Sequence, residues 1–136
     1  MRRLALLVTV TAVVVVSIGA VTAHAVTSNN AVSVNLNEFN IIPAVQGAKT
    51  GKVTFTVKNI GKAEHEFVVL KTLRAAGNLA SHGGEASETG NVGEIGSVKP
   101  GQQKKLTLTL QKGHYSIVCN LPGHYANGQF VDFYVR

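Results

Sequence analysis

A thiol, an imidazole and a carboxamide lie within one short stretch, Cys119-Asn120-Leu121-Pro122-Gly123-His124-Tyr125-Ala126-Asn127-Gly128-Gln129. Thiolate sulfur and imidazole nitrogen are borderline-soft donors that suit copper or zinc. A second imidazole, His65, is far away in sequence, and only the fold can bring it to the other two. Cys119 is the only cysteine. In an oxidising compartment cysteines normally pair, so a lone thiol needs another fate. It is held as a metal thiolate, used as a nucleophile, or buried as a small apolar group.

Taken singly, each of these residues has an ordinary explanation. Cys119 could be an inert buried thiol, His124 an exposed turn residue after Pro-Gly, and His65 a strand-edge imidazole satisfied by Glu64 or Glu66. Their combination favours metal binding. A Cys-His nucleophilic enzyme is the rival active-site reading. Nothing marks an oxyanion hole or a substrate pocket for it, and it leaves the second histidine without a role. His82 and His114 read as solvated side chains, with a weak secondary metal site at His82 and Glu85 as the alternative for the former. The glutamates around them read as a solvated face, not a catalytic pair.

The elements that must position these residues are strands. Val32, Val34 and Leu36 alternate with polar neighbours, and Phe39, Ile41 and Ile42 continue an apolar segment to Pro43. Val53, Phe55 and Val57 alternate with Thr54 and Thr56, and Asn59-Ile60-Gly61 supplies a turn. The next strand, His65 to Leu70, places His65 on the same face as Phe67 and Val69, so His65 points inward if that face is the core. Residues 72–98 hold six glycines and three glutamates with no sustained period. They read as a long loop, with one helical turn around Leu73 to Leu79. Leu106, Leu108 and Leu110 resume the alternation, Lys112-Gly113 reads as a hairpin turn, and strands follow at His114 to Cys119 and at Phe130 to Arg136. Short strands separated by turns, with no long amphipathic helix, indicate an all-β antiparallel sandwich or barrel.

The chain has 136 residues, enough for one ordinary domain. Arg2 and Arg3 precede an almost unbroken apolar run from Leu4 to Val21, which ends in Ala23-His24-Ala25. This reads as a secretory signal peptide over residues 1–25, cleaved to leave 26–136. A retained N-terminal membrane anchor is the alternative, since the run is long enough to span a bilayer. The formal charge of +6 includes Arg2 and Arg3, so 26–136 carries +4. The basic residues are scattered and no aromatic-and-basic recognition motif accompanies them, which argues against nucleic-acid binding.

The order of these parts resembles the cupredoxins, the small blue-copper proteins. The resemblance extends over about residues 50–136. It rests on Asn59-Ile60-Gly61-Lys62-Ala63-Glu64-His65, on Gly113-His114-Tyr115-Ser116-Ile117-Val118-Cys119, and on the Pro122-Gly123-His124 that follows. It implies a Greek-key sandwich of about seven or eight strands and one type 1 copper ion held by His65, Cys119 and His124. Gln129 would be the weak axial ligand, standing where the family usually has methionine. The only methionine is Met1. The implied function is that of an exported, periplasmic or extracellular one-electron carrier, monomeric and not an enzyme. It would dock redox proteins through an apolar patch near His124 formed by Leu121, Pro122, Tyr125 and Pro43, and meet a membrane only if the N-terminal segment is retained. A copper carrier or assembly module without redox turnover, and a metal-free cupredoxin-like domain, are the alternatives that the missing methionine keeps open. Asn59 and Asn120 are candidates for orienting the ligands.

Overall fold

A computed structural model of the chain describes residues 30–136. The expected leader at 1–25 lies outside the described residues. The strands are β1 (Ala31–Asn37), β2 (Asn40–Pro43), β3 (Gly47–Ala48), β4 (Gly51–Asn59), β5 (His65–Lys71), β6 (Ser81–His82), β7 (Glu85–Ala86), β8 (Asn91–Val98), β9 (Gln103–Leu110), β10 (Gly113–Val118) and β11 (Phe130–Val135). The one helical element among the described residues is a single 3-10 turn at Ala76–Asn78, within the segment where a helical turn is expected. No helix among these residues is long and apolar enough to cross a membrane.

Two sheets face each other. One has the order β2-β1-β4-β9 and the other β3-β11-β10-β5-β8. Period-two alternation drives their inner faces together, because successive side chains on a strand point to opposite sides. Val32, Val34 and Leu36 of β1 and Val53, Phe55 and Val57 of β4 meet Phe67 and Val69 of β5, Tyr115 and Ile117 of β10, and Phe133 and Val135 of β11. Phe55 is the hub, with ring centroids 5.3 Å from Phe67 and 5.4 Å from Phe133.

A second apolar cluster forms on the outer face of the five-stranded sheet, from Val68, Leu70, Ala86, Val118 and Tyr125. β5 and β10 are therefore buried on both faces. This accounts for the continuous apolar runs Phe67-Val68-Val69-Leu70 and Ile117-Val118-Cys119, which break simple alternation.

Two expectations need correction. The sheets are mixed, not antiparallel: β1 pairs with β4 in parallel, Val34 opposite Val57, and β11 pairs with β3 in parallel. The chain leaves β2, touches the far sheet at β3 and returns beside β1, and a crossover of this kind is what parallel neighbours require. The segment 72–98 is also not one loop. Its last part is β8, an edge strand antiparallel to β5. Opposite β5, His65 pairs with Val98 but Phe67 with Ile95, and Val69 pairs with Gly93 but Leu70 with Asn91. Each step inserts one extra residue on β8, so two bulges put Ile95 and Val98, three residues apart, into the same core. The bulges remove the period-two signal that would have marked the strand.

Candidate metal centre

Three loops and a strand end build the site. Asn59, fully buried at the end of β4, shapes the turn that delivers His65. Its Nδ2 donates to the carbonyls of Ala63 and Val98, both at 2.7 Å, and its Oδ1 accepts from Gly61 N–H at 2.8 Å. The turn thus closes on one side chain, and His65 enters β5 fully buried. Asn59 acts through the backbone, not on the imidazole.

Cys119 follows β10 directly, and its N–H donates to the Gln129 carbonyl at 3.0 Å, closing the loop at its base. Inside, His124 N–H donates to the Leu121 carbonyl at 2.9 Å across Pro122 and Gly123, whose φ is +79°. Proline followed by a residue with positive φ, bridged by this bond, is the pattern of a type II turn, and glycine fits its third position without a Cβ clash. Gln129 N–H then donates to the His124 carbonyl at 3.1 Å. Asn120 ties the loop sideways: its Oδ1 accepts from Ala86 N–H at 2.7 Å, and its Nδ2 donates to the Ala86 carbonyl and to Glu88 Oε1, both at 2.9 Å.

The fold brings His65, Cys119 and His124 together, with one donor atom from each lying within 4.8 Å of the others. Cys119 Sγ is 3.9 Å from His65 Nδ1 and 3.2 Å from His124 Nδ1. Cys119 and His65 have no exposed surface, and His124 is half-buried with Phe39 edge-on against its ring at 5.2 Å. Burial pushes the Cys119 thiol up, partly opposed by the backbone amides of Glu66, 3.2 Å from Sγ, and Leu121. Burial, reinforced by His124, pushes His65 down. Both shifts favour the uncharged form of the group, as burial away from water does.

Gln129 is fully buried at the same place. Its Nε2 donates to the Asn37 carbonyl at 2.9 Å and approaches His65 Nδ1 at 3.0 Å. Because the Asn37 carbonyl demands a donor, the amide orientation is settled and Oε1 is the atom left over. Oε1 is buried with no hydrogen-bond donor among the described residues. An orphaned acceptor of this kind costs about 1–3 kcal/mol, and a cation beside it would relieve that cost. Two nitrogens, a sulfur and a free amide oxygen are a donor set that fits copper.

Glu38, not identified from the sequence, sits behind His65. Its Oε1 accepts from the backbone N–H groups of Lys62 and Ala63, both at 2.6 Å, and lies 3.4 Å from His65 Nε2. That last contact is an electrostatic approach that falls short of hydrogen-bond geometry, and Nε2 has no hydrogen-bond partner among the described residues. Led by the Ala63 amide, these hydrogen bonds hold the Glu38 carboxyl at about 2.

Other residues depart from expectation. Tyr125 does not join a surface patch. It is buried on the outer face of the five-stranded sheet, where its hydroxyl donates to the Ala76 carbonyl at 2.8 Å and accepts from Leu79 N–H at 3.0 Å. Leu121 and Pro43 are half-buried and Pro122 is exposed. His114 is not solvated: Nε2 lies 2.8 Å from Asp132 Oδ1 and Nδ1 2.7 Å from the Thr72 carbonyl. With Ala76 N–H donating to the same Asp132 oxygen, this network pins the 3-10 turn to the sheet. His82 is exposed opposite Glu85, and no third ligating side chain joins them among the described residues.

Residues 8–131 match the Cupredoxin-like domain family. The chain belongs to that family. Comparison with curated protein sequences finds no match. Among solved structures, this cupredoxin is similar to reduced auracyanin from the photosynthetic bacterium Roseiflexus castenholzii, with 22% identity and TM-score 0.61 over 79% of this chain and 97% of that one. It is also similar to rusticyanin from Thiobacillus ferrooxidans, with 20% identity and TM-score 0.59 over 80% and 79%. Azurin from Methylomonas sp. strain J follows, with 13% identity and TM-score 0.58 over 78% and 97%. At these identities the structures bear on the fold. Within the family, the His-Cys-His arrangement of this cupredoxin supports one type 1 copper ion as its cofactor.

Proposed function

We propose that this cupredoxin is an exported blue-copper protein that carries single electrons between redox partners, with His65, Cys119 and His124 as ligands and Gln129 Oε1 as the weaker fourth. The observation that carries the reading is the convergence of one thiol and two imidazole nitrogens within 4.8 Å, inside a packed sandwich. Copper in such a site supplies a one-electron couple. The chain's own residues hold the donors still: Asn59 locks the turn before His65, and the Leu121-to-His124 turn sets the loop imidazole. Because these hydrogen bonds and the surrounding core are already formed, little has to move when the charge of the centre changes.

Burial of Cys119 and His65 keeps water away from the donors, and half-buried His124 gives the centre its face toward a partner. Phe39, Leu121 and Pro122 are the apolar groups available beside it. A face of this small size suits brief encounters. The same burial speaks against a nucleophilic enzyme, which needs an accessible thiol with a lowered pKa, whereas here burial raises it. It also speaks against a carrier that hands its metal on, since two of the three donors are unreachable from outside. Export rests on the apolar segment and the Ala23-His24-Ala25 pattern.

An optical titration of the purified protein with Cu(II), repeated on Cys119→Ala, tests the reading. An intense visible thiolate-to-copper band at one equivalent, absent in the variant, is expected. The absence of such a band in the unmodified protein would remove the electron-transfer function.

A further inference from the structure

The carboxylate of Glu38 is held in place far more firmly than a surface glutamate needs to be. It sits in the turn between β1 and β2, yet its Oε1 takes two backbone N–H groups, Lys62 and Ala63, from the turn that delivers His65. Gly61 makes room for it: a Cβ at that position would stand 2.5 Å from Oε1 and 2.8 Å from Oε2. Any side chain at residue 61 would push the carboxylate away. The charge is thereby pinned 3.4 Å from His65 Nε2, a buried nitrogen that no other group among the described residues partners. On the opposite edge of the ring, Gln129 Nε2 donates toward Nδ1, which makes Nδ1 the acceptor nitrogen and places the imidazole proton on Nε2, facing Glu38.

We propose that Glu38 is a positioning residue for the copper centre: it holds His65 in the tautomer that offers Nδ1 to the metal and places a fixed negative charge behind that ligand, favouring Cu(II) over Cu(I). The inference rests on the copper reading above. Its physical basis is general, since a carboxylate on the far nitrogen of a ligating histidine fixes the ring and raises its basicity. Gly61 is part of the same device, because it admits the carboxylate.

The test is Glu38→Gln, which keeps an oxygen acceptor for the Lys62 and Ala63 amides and the length of the side chain while removing the charge. Glu64→Gln is the control. It makes the same charge change one residue from His65, but at a carboxylate that accepts from Ser97 Oγ, whereas the carboxylate paired with the imidazole among the described residues is that of Glu38. In Glu38→Gln the visible thiolate-to-copper band should persist, while the preference for Cu(II) over Cu(I) weakens by about tenfold. For a one-electron couple that is a rise in potential of about 59 mV, read by voltammetry, with a clearly smaller change in Glu64→Gln. An unchanged potential in Glu38→Gln, or equal shifts in the two variants, overturns the proposal.

A second readout needs no copper. In nitrogen-15 NMR spectra of the metal-free protein, His65 should show a protonated Nε2 whose shift or exchange changes in Glu38→Gln and not in Glu64→Gln. Indifference of His65 to the Glu38 change overturns the proposal by this route as well. A missing copper band in the unmodified protein would instead remove the copper reading, and the NMR comparison would still decide what Glu38 does to the imidazole.

Discussion

At Gln129 one amide serves two ends: its nitrogen satisfies the Asn37 carbonyl, and its oxygen is left free in a buried site. A harder donor than a thioether, that oxygen favours Cu(II). Gln129→Met should therefore raise the reduction potential in voltammetry, and an unchanged or lowered value would contradict the axial role. The same change strands the Asn37 carbonyl, so the variant should also lose about 1–3 kcal/mol in denaturant unfolding. Asn59→Ala makes a cleaner case for the turn. It removes three hydrogen bonds from a fully buried side chain, and a loss of about 2–4 kcal/mol is expected, with broadened copper spectra as His65 loses its entry angle. Donor type and loop position made His65, Cys119 and His124 legible in the sequence as candidate ligands, and Gln129 was legible only through the resemblance to the cupredoxins. Glu38 and Phe39 were not, since their approach to the histidines depends on how a β1–β2 turn leans over a distant one, and no periodicity records that.

Strands with clean alternation, such as Gly51–Asn59, were legible, and so was the inward face of His65, because parity along β5 decides it. Asn91–Val98 was hidden by two bulges and two glycines, and the parallel pairing of β1 with β4 by a crossover that leaves no local mark. The outer face of β5 carries its own consequence. Burial, then repulsion from Glu88, Glu94 and Glu85, raises the Glu66 carboxyl above its usual 4.5. A carboxyl whose pKa is higher folded than unfolded binds its proton more tightly in the native state. Its cost to stability is absent below about pH 4.5 and grows as pH rises through the folded pKa. Glu66→Gln should accordingly unfold at a higher temperature than the unmodified protein at neutral pH. The gap should close as pH falls below about 4.5, and equal melting temperatures at pH 7 would refute a cost from burial and repulsion together.

Across the whole molecule, charges of both signs crowd the end that carries the metal centre. Glu38, Glu64, Glu66, Glu85 and Glu88 stand on the turns and strand ends there, the last two joined to it through Gly84 against Gly123 and Asn120 against Glu88. Lys58, Lys62, Lys99, Lys104 and Lys105 share that end, beside Asn59 and the turn into His65, while Lys49, Lys112 and Arg136 lie at the other end of the strands. A formal charge of +4 on residues 26–136 predicts attraction of anions at long range, yet a reagent exchanging electrons at His124 meets carboxylates and lysines together. Local charge within a Debye length, about 10 Å at 0.1 M salt, should govern that encounter. Stopped-flow oxidation and reduction by small cationic and anionic metal complexes separates the two. Because that local charge is mixed, both rates should depend only weakly on salt, whereas the net charge alone would make the anionic rate fall and the cationic rate rise as salt is added. A steep fall for the anionic reagent with a rise for the cationic one would mean that the net charge, not the local mixture, steers the encounter.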